Sequence, residues 1–385
     1  MTARNMATRA LKKAWATRPV RSWPGVLLCV ALLALCSACD DDSGGGGPSA
    51  LSPPAPLDLL LVLDTSNDMG EQQTLLVRVL PDLLTAVVGG DAATDTDASP
   101  AGEVHVGIVT TDMGSGGIDV PTCNDAPDWG DDGLLRTTPA DAWIDPSCAP
   151  SYPPFVAYAR RDEVPDAVAG LSCLLQSIIG CGVEQPLEAV LKALTPATSG
   201  LRFARETTGH EDGDNAGFLR SDSVLGVVIL TTEDDCSLRD ASMLDPNNLA
   251  YTGPLHARCV TYLEALHPVE RYVDGIASLR SDPRRLVYAL LAGMPEEPVA
   301  GTDATDPAAL LEAPEMQTGV TPDGFVEWAC YVPGRGPAYP ARRLVSVGVG
   351  LSARGARVEL ESVCGLDYAG AVAAIAGAMR ERMMP

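Results

Sequence analysis

Leu57-Asp58-Leu59-Leu60-Leu61-Val62-Leu63 runs directly into Asp64-Thr65-Ser66-Asn67-Asp68-Met69. The first seven residues are a short, almost continuous apolar run, the pattern of a strand buried on both faces of a parallel sheet. Similar runs recur at Val104 to Thr110, Val224 to Thr231, Arg285 to Leu291 and Leu344 to Leu351, and each is expected to be a strand. Between them Leu76, Val79, Leu80, Leu83, Leu84 and Val87 recur at three and four, as do Leu187, Val190, Leu191 and Leu194, the spacing of one buried helix face. Pro81 predicts a break or kink in the first of these helices. Tyr272 to Leu279 and Ala369 to Met379 give two more. Strands alternating with helices specify an α/β fold: a doubly wound, mostly parallel sheet with helices on both faces, whose ligands gather where strand carboxyl ends meet helix amino ends.

Two stretches stand outside the alternation. Residues 114–154 are rich in Gly, Pro, Asp and Trp, and residues 234–266 form a second irregular segment. Connections this long are functional or disordered, and the cysteines in each argue for order. The domain is expected to span 57–385, with these two as disulfide-stapled insertions.

Upstream, residues 1–38 carry Arg4, Arg9, Lys12, Lys13, Arg18 and Arg21 and no acid. The apolar run Val26 to Leu35 is only ten residues long, short of the roughly 20 that a spanning helix needs. Residues 1–38 therefore read as a secretory signal peptide. Leu35-Cys36-Ser37-Ala38-Cys39 resembles a lipobox, although Cys36 stands where leucine is usual. The resemblance implies that Cys39 is lipidated and begins the mature chain of a lipoprotein. Residues 39–56, with Asp40-Asp41-Asp42-Ser43 and four glycines, read as a flexible tether. The expected location is the Gram-negative cell envelope, with a lipid anchor in the membrane. Asp40 favours inner-membrane retention by the common sorting rule, whereas a disulfide-rich module suits the outer membrane or cell surface, the location preferred here.

Six of the 27 basic residues leave with the leader, so 21 remain against 51 acids and the mature net charge lies near −30. Phosphate binding needs the opposite sign, so nucleic acid is not an expected partner. Such acidity serves solubility alone or the collection of divalent cations. Cys29 and Cys36 also leave, and Cys39 takes the lipid. Eight of 11 cysteines remain: Cys123, Cys148, Cys173, Cys181, Cys236, Cys259, Cys330 and Cys364. An even number in an exported chain predicts four disulfides. Zinc is the rival, but these eight contain no Cys-x-x-Cys and the histidines lack metal spacing to them. Nearest-neighbour pairing, which closes one local loop per bridge, is the expected connectivity.

After the first strand Asp64, Ser66 and Asp68 alternate. Such a turn can point three oxygens inward, and hard cations such as Mg²⁺ and Ca²⁺ prefer oxygen ligands. The same residue types before a helix are also good N-caps, so the turn alone leaves both readings open.

Asp58 to Met69 resembles the opening of von Willebrand factor type A (vWA) domains: an acid, an apolar strand, then Asp-x-Ser-x-Ser and Met. The resemblance implies a Rossmann-like vWA fold with a metal-ion-dependent adhesion site (MIDAS). Asp64 and Ser66 match its first two ligand positions, and Asp68 stands where the family has serine. Gly180 to Ala189 occupies the place of the family's second loop, Gly-Gly-x-Thr-x-Thr, and puts Glu184 at a threonine position. Glu184 is alternatively a first-turn acid favoured by the helix dipole. The third loop usually reads Thr-Asp-Gly. Here Thr231-Thr232-Glu233-Asp234-Asp235-Cys236 puts Thr232 at the aspartate, so Glu233 is the expected ligand, with Asp235 behind it. Val109 to Gly114 and Cys364 before Asp367-Tyr368 extend the resemblance, to vWA domains of bacterial lipoproteins, over nearly all of 57–382. Only the first loop is specific.

The resemblance implies a binding module, in which an acidic group of a protein or extracellular ligand completes the coordination of a divalent cation. A structural envelope lipoprotein with a degenerate metal site is the second reading, because Thr232 lacks a carboxylate. A metal-dependent hydrolase is the third, and it lacks a Gly-x-Ser-x-Gly elbow, a His-Glu-x-x-His helix and a phosphate-binding Gly-x-x-x-x-Gly-Lys. His105 falls within a strand, and His210, His256 and His267 lie in or near loops without an evident nucleophile. The chain is accordingly read as a non-enzyme.

Overall fold

The opening apolar run is a strand, β1 (Leu57–Leu63), every residue of which is buried. The computed structural model describes residues 54–89, 102–123, 130–140, 146–176, 178–296 and 307–385. The leader, Cys39 and nearly all of the tether lie outside the described residues. β1 is joined by α1 (Gly70–Val88), β2 (Val104–Thr110), β3 (Phe155–Tyr158), α2 (Val164–Leu175), α3 (Pro186–Leu194), β4 (Val224–Leu230), α4 (Arg258–Thr261), α5 (Val269–Ser278), β5 (Leu286–Ala292), α6 (Pro307–Leu311), β6 (Cys330–Val332), β7 (Gly336–Ala338), α7 (Arg342–Ser352), β8 (Arg357–Ser362) and α8 (Ala369–Met383). Six strands form one sheet in the order β3-β2-β1-β4-β5-β8, all parallel except β3, which closes one edge antiparallel. β6 and β7 form a separate antiparallel ribbon.

Side-chain alternation along β1 assigns the layers. Leu57, Leu59, Leu61 and Leu63 pack into a core with α1, α2 and α8, while Leu60 and Val62 face the core made with α3, α5 and α7. Each fully buried leucine contributes about 1.5–3 kcal/mol relative to exposure. The sheet is therefore doubly wound, as its apolar strands require.

The expected strand at Leu344 to Leu351 is instead α7. Its valines suggest an extended chain, but Leu344, Val347, Gly348 and Leu351 make one helical face and are buried. A Cβ on Gly350 would stand 2.6 Å from Val273 Cγ2, so glycine admits the close packing of α7 on α5. Asp234 accepts hydrogen bonds from the amides of Arg343 and Leu344 and anchors the helix start. Tertiary contacts thus override strand propensity. The last sheet strand is β8, whose alternating Arg-Val-Glu-Leu-Glu-Ser lacks the apolar run of a central strand because it lies on an edge. Pro81 does not break α1. It lies on the exposed side, away from the face that the helix buries.

All eight expected cysteines are bridged, but the connectivity is corrected. Cys236–Cys259 and Cys330–Cys364 pair as neighbours, whereas Cys123 joins Cys181 and Cys148 joins Cys173, one bridge nested inside the other. Nearest-neighbour pairing assumes that a loop folds on itself. Here the loop after β2 is held against the loop before α3, with the Gly182 amide donating to the Thr122 carbonyl, and this brings Cys123 to Cys181. Both long insertions meet there. Val120, Cys123, Cys181, Val183, Cys236, Met243, Leu244, Ala265 and Leu266 share a small core of their own.

Candidate metal centre

The three central strands end level, because Leu63 pairs with Thr110 on one side and Leu230 on the other. The residues that follow, Asp64, Thr111 and Thr231, are thereby brought together at the carboxyl edge of the sheet. Asp64 is fully buried. Its Oδ1 accepts from the amide and hydroxyl of Ser66, and its Oδ2 accepts from Thr231 Oγ1 at 2.7 Å and the Thr232 amide at 3.1 Å. Burial raises its pKa against these hydrogen bonds. Ser66 is buried beside it, while Asn67 and Asp68 are exposed at the rim. The turn does not cap α1: its N-cap is Met69, with no side-chain cap.

Glu184 enters from the loop before α3 and is fully buried. Its Oε2 accepts from Thr111 Oγ1 and from the Thr65 amide at 3.3 Å, and its Oε1 has no partner. Burial, then Asp64, then Glu233 push its pKa well above the ordinary glutamate range. Glu184 is not a first-turn acid, because α3 begins at Pro186 with Gln185 as N-cap and the acid in its first turn is Glu188.

The acidic run after β4 splits three ways. Glu233 joins the site: burial, then Asp64, then Asp68 push its pKa up to about 8. Asp234 turns to the start of α7. Asp235, expected behind Glu233, instead pairs with Arg343 at 3.0 Å and accepts from the Leu187 amide at the start of α3. Thr232 Oγ1 is a second oxygen buried without a partner at the same edge of the sheet.

Asp64, Ser66, Glu184 and Glu233 therefore converge, with Asp68 on the rim. Thr111, Thr231 and Thr65, to which sequence reasoning assigned no role, are the hydroxyls that hold the carboxylates. Their only signal was position, immediately after an apolar strand or beside the first aspartate. Asp112 was missed as well: it accepts from the Gly114 and Cys181 amides and ties the first insertion to the loop before α3. Among the described residues no three His, Cys, Asp or Glu side chains stand close enough to hold an ion by themselves. Asp58 belongs to the opposite edge, where it pairs with Arg220 at 2.6 Å.

No family model and no curated protein matches the chain. Among solved structures it is similar to the human COPII-coat protein Sec24c, at 11% identity over 86% of this chain and 32% of that one, with a TM-score of 0.34. It is also similar to the conserved hypothetical protein BatB from Bacteroides thetaiotaomicron, at 13% identity over 85% of this chain and 98% of that one, with a TM-score of 0.29. The chain thus spans about a third of the Sec24c chain. Likenesses at these scores decide nothing about the site.

Proposed function

We propose that this chain is a vWA-like binding module, exported and lipid-anchored at Cys39, that recognises a protein or extracellular ligand through one divalent cation at Asp64, Ser66, Asp68, Glu184 and Glu233. The observation that carries the reading is the unpartnered, buried Oε1 of Glu184. Of the other buried acids, Asp58 has Arg220, Glu188 has Arg271 and Asp235 has Arg343, while Asp112 accepts from the Gly114 and Cys181 amides. Among the described residues Asp64 and Glu184 have only hydroxyls and amides around them. Unit charges about 4 Å apart repel by roughly 4 kcal/mol at an effective dielectric near 20, and a cation would reverse that sign. The cation would be held by carboxylate and hydroxyl oxygens together, a donor set suited to Mg²⁺ or Ca²⁺. It would supply an open coordination position for an acidic group of the partner.

Calorimetric titration of the mature protein with Mg²⁺ and Ca²⁺ tests this directly. A bound ion stabilises the fold by ~2.7 kcal/mol at a free concentration of 100 times the dissociation constant, so the melting temperature should climb with the logarithm of metal concentration. Asp64→Ala should abolish the climb, and Asp162→Ala, at an exposed pair with Arg160, should preserve it. No response of the wild type at millimolar metal would instead favour a structural envelope lipoprotein with a degenerate site. That second reading draws on Thr232 in the aspartate position and on Asp64, whose two oxygens already accept four hydrogen bonds.

The anchor has its own test. Labelled palmitate should enter the wild type and not Cys39→Ala, and label retained by the variant would refute lipidation at that residue.

A further inference from the structure

The chain is poor in aromatic residues, at 5%, yet three of them crowd one exposed stretch. Phe325, Trp328 and Tyr331 are 62%, 56% and 51% exposed. Trp328 and Tyr331 stack with ring centroids 5.1 Å apart and 30° between their planes, and Phe325 stacks on His256 at 5.7 Å and 24°. Apolar side chains exposed singly need no explanation, but rings stacked in solvent mark a contact surface. The backbone beneath is tied down. Cys330 is bonded to Cys364, the Glu327 amide donates to the Gly319 carbonyl, and the Ala329 amide donates to the Ala338 carbonyl. A partner binding here orders little chain.

Charge narrows the partner. From Glu312 to Gly334 there are four acids, Glu312, Glu315, Asp323 and Glu327, all exposed, and no lysine or arginine. The next arginines are committed to backbone carbonyls: Arg335 to those of Val363, Cys364 and Gly365, and Arg342 to those of Leu311 and Met316. Aromatic faces attract cations through the ring quadrupole. A guanidinium both stacks on a ring and meets a carboxylate in its plane. We propose that this surface docks an arginine-rich segment of a partner protein, with guanidinium groups stacked on Trp328 and Tyr331 and paired with Glu327 and Asp323. The interaction needs no metal ion, and it takes the charge opposite to the acid that a metal would capture. It therefore goes beyond the metal-dependent reading and stands apart from it. Neutral sugars also stack on aromatic rings and can donate hydroxyls to carboxylates, but they carry no charge to match the four acids.

The test is fluorescence anisotropy of a labelled hexa-arginine peptide against the whole mature protein in EDTA, which removes any contribution from divalent metal. The double variant W328A/Y331A leaves the charge unchanged and should weaken binding roughly tenfold at an unaltered melting temperature. E327K, a second and independent variant, should weaken it further and reduce its dependence on salt. Equal affinity of wild type and W328A/Y331A would overturn the proposal, reducing the binding to general attraction by an acidic chain. Binding of maltohexaose that competes with the peptide and is lost in W328A/Y331A would overturn it too, by making the platform a sugar site.

Discussion

Asp58→Ala should lower the unfolding free energy by about 3–5 kcal/mol, because it strips the counter-charge from the buried Arg280 and one of two from the half-buried Arg220. Asp58 is fully buried at the start of β1. Its carboxylate accepts from the Arg220 amide at 2.7 Å and from Arg220 Nε at 2.8 Å, binds the Ser223 hydroxyl, and stands 3.5 Å from Arg280 Nη2. Arg280 is itself buried, and its Nε has no partner. Removing Asp58 leaves that guanidinium in a low-dielectric site with only the Leu279 carbonyl and the Ser223 hydroxyl as close acceptors. Asp58→Asn keeps the shape and the bonds accepted by one oxygen, but its NH2 faces N–H donors in place of the other, so it should fall between wild type and Asp58→Ala. Urea unfolding measures both variants, and a loss below about 1 kcal/mol in Asp58→Ala would show that this pairing does not hold the lower edge of the sheet together. Metal response should persist in either variant that folds, since Asp58 and Asp64 lie at opposite ends of one strand.

The metal-free protein should become less stable as pH rises from about 6.5 to 8. Glu184 is held well above the ordinary glutamate range and Glu233 is pushed up to about 8, both by burial first and by neighbouring carboxylates second. In that window the folded chain holds protons that the unfolded chain has released, so it binds more protons and stability falls as pH increases. A protonated carboxyl loses about 1.36 kcal/mol of this stability per pH unit, so Glu233 gives up to roughly 2 kcal/mol across the window and Glu184 adds in the same direction. Solvent screening of the half-buried Glu233 reduces its share. His267 acts with the opposite sign below the window. Burial first, then Arg271, holds it down to about 4 against an ordinary 6.5. Between those values only the unfolded chain binds that proton, and stability rises with pH. Thermal unfolding in EDTA at pH 6.5, 7.25 and 8 isolates the carboxylates. A flat or rising stability would contradict their placement, and saturating Mg²⁺ or Ca²⁺ should remove the slope.

The central sheet was legible because β1, β2, β4 and β5 are buried on both faces and must be apolar along their whole length. The edges were not. β3 and β8 are exposed on one side and carry mixed sequences that no run of hydrophobic residues distinguishes from a loop. α7 misled for the converse reason, being apolar and valine-rich in a place where packing, not propensity, selects the backbone. At the candidate site the alternating Asp64, Ser66 and Asp68 announced themselves by spacing. Thr111 and Thr231 did not, since a threonine after a strand has no pattern until the strands are aligned.

The sequence by itself determined what depends on local order along the chain: which segments are apolar, where helices repeat at three and four, and that the cysteines beyond residue 39 are even in number. The tertiary structure alone decided what depends on register and on which loops meet. Leu63, Thr110 and Leu230 standing level is what puts Asp64, Glu184 and Glu233 within electrostatic range of one another. The contact between two loops distant in sequence is what pairs Cys123 with Cys181. The same geometry divides one acidic run, Glu233-Asp234-Asp235, among a buried site, a helix start and an arginine. Adjacent residues of identical charge met different fates because successive side chains leave the backbone in different directions, and only the packed neighbours decide what each direction meets.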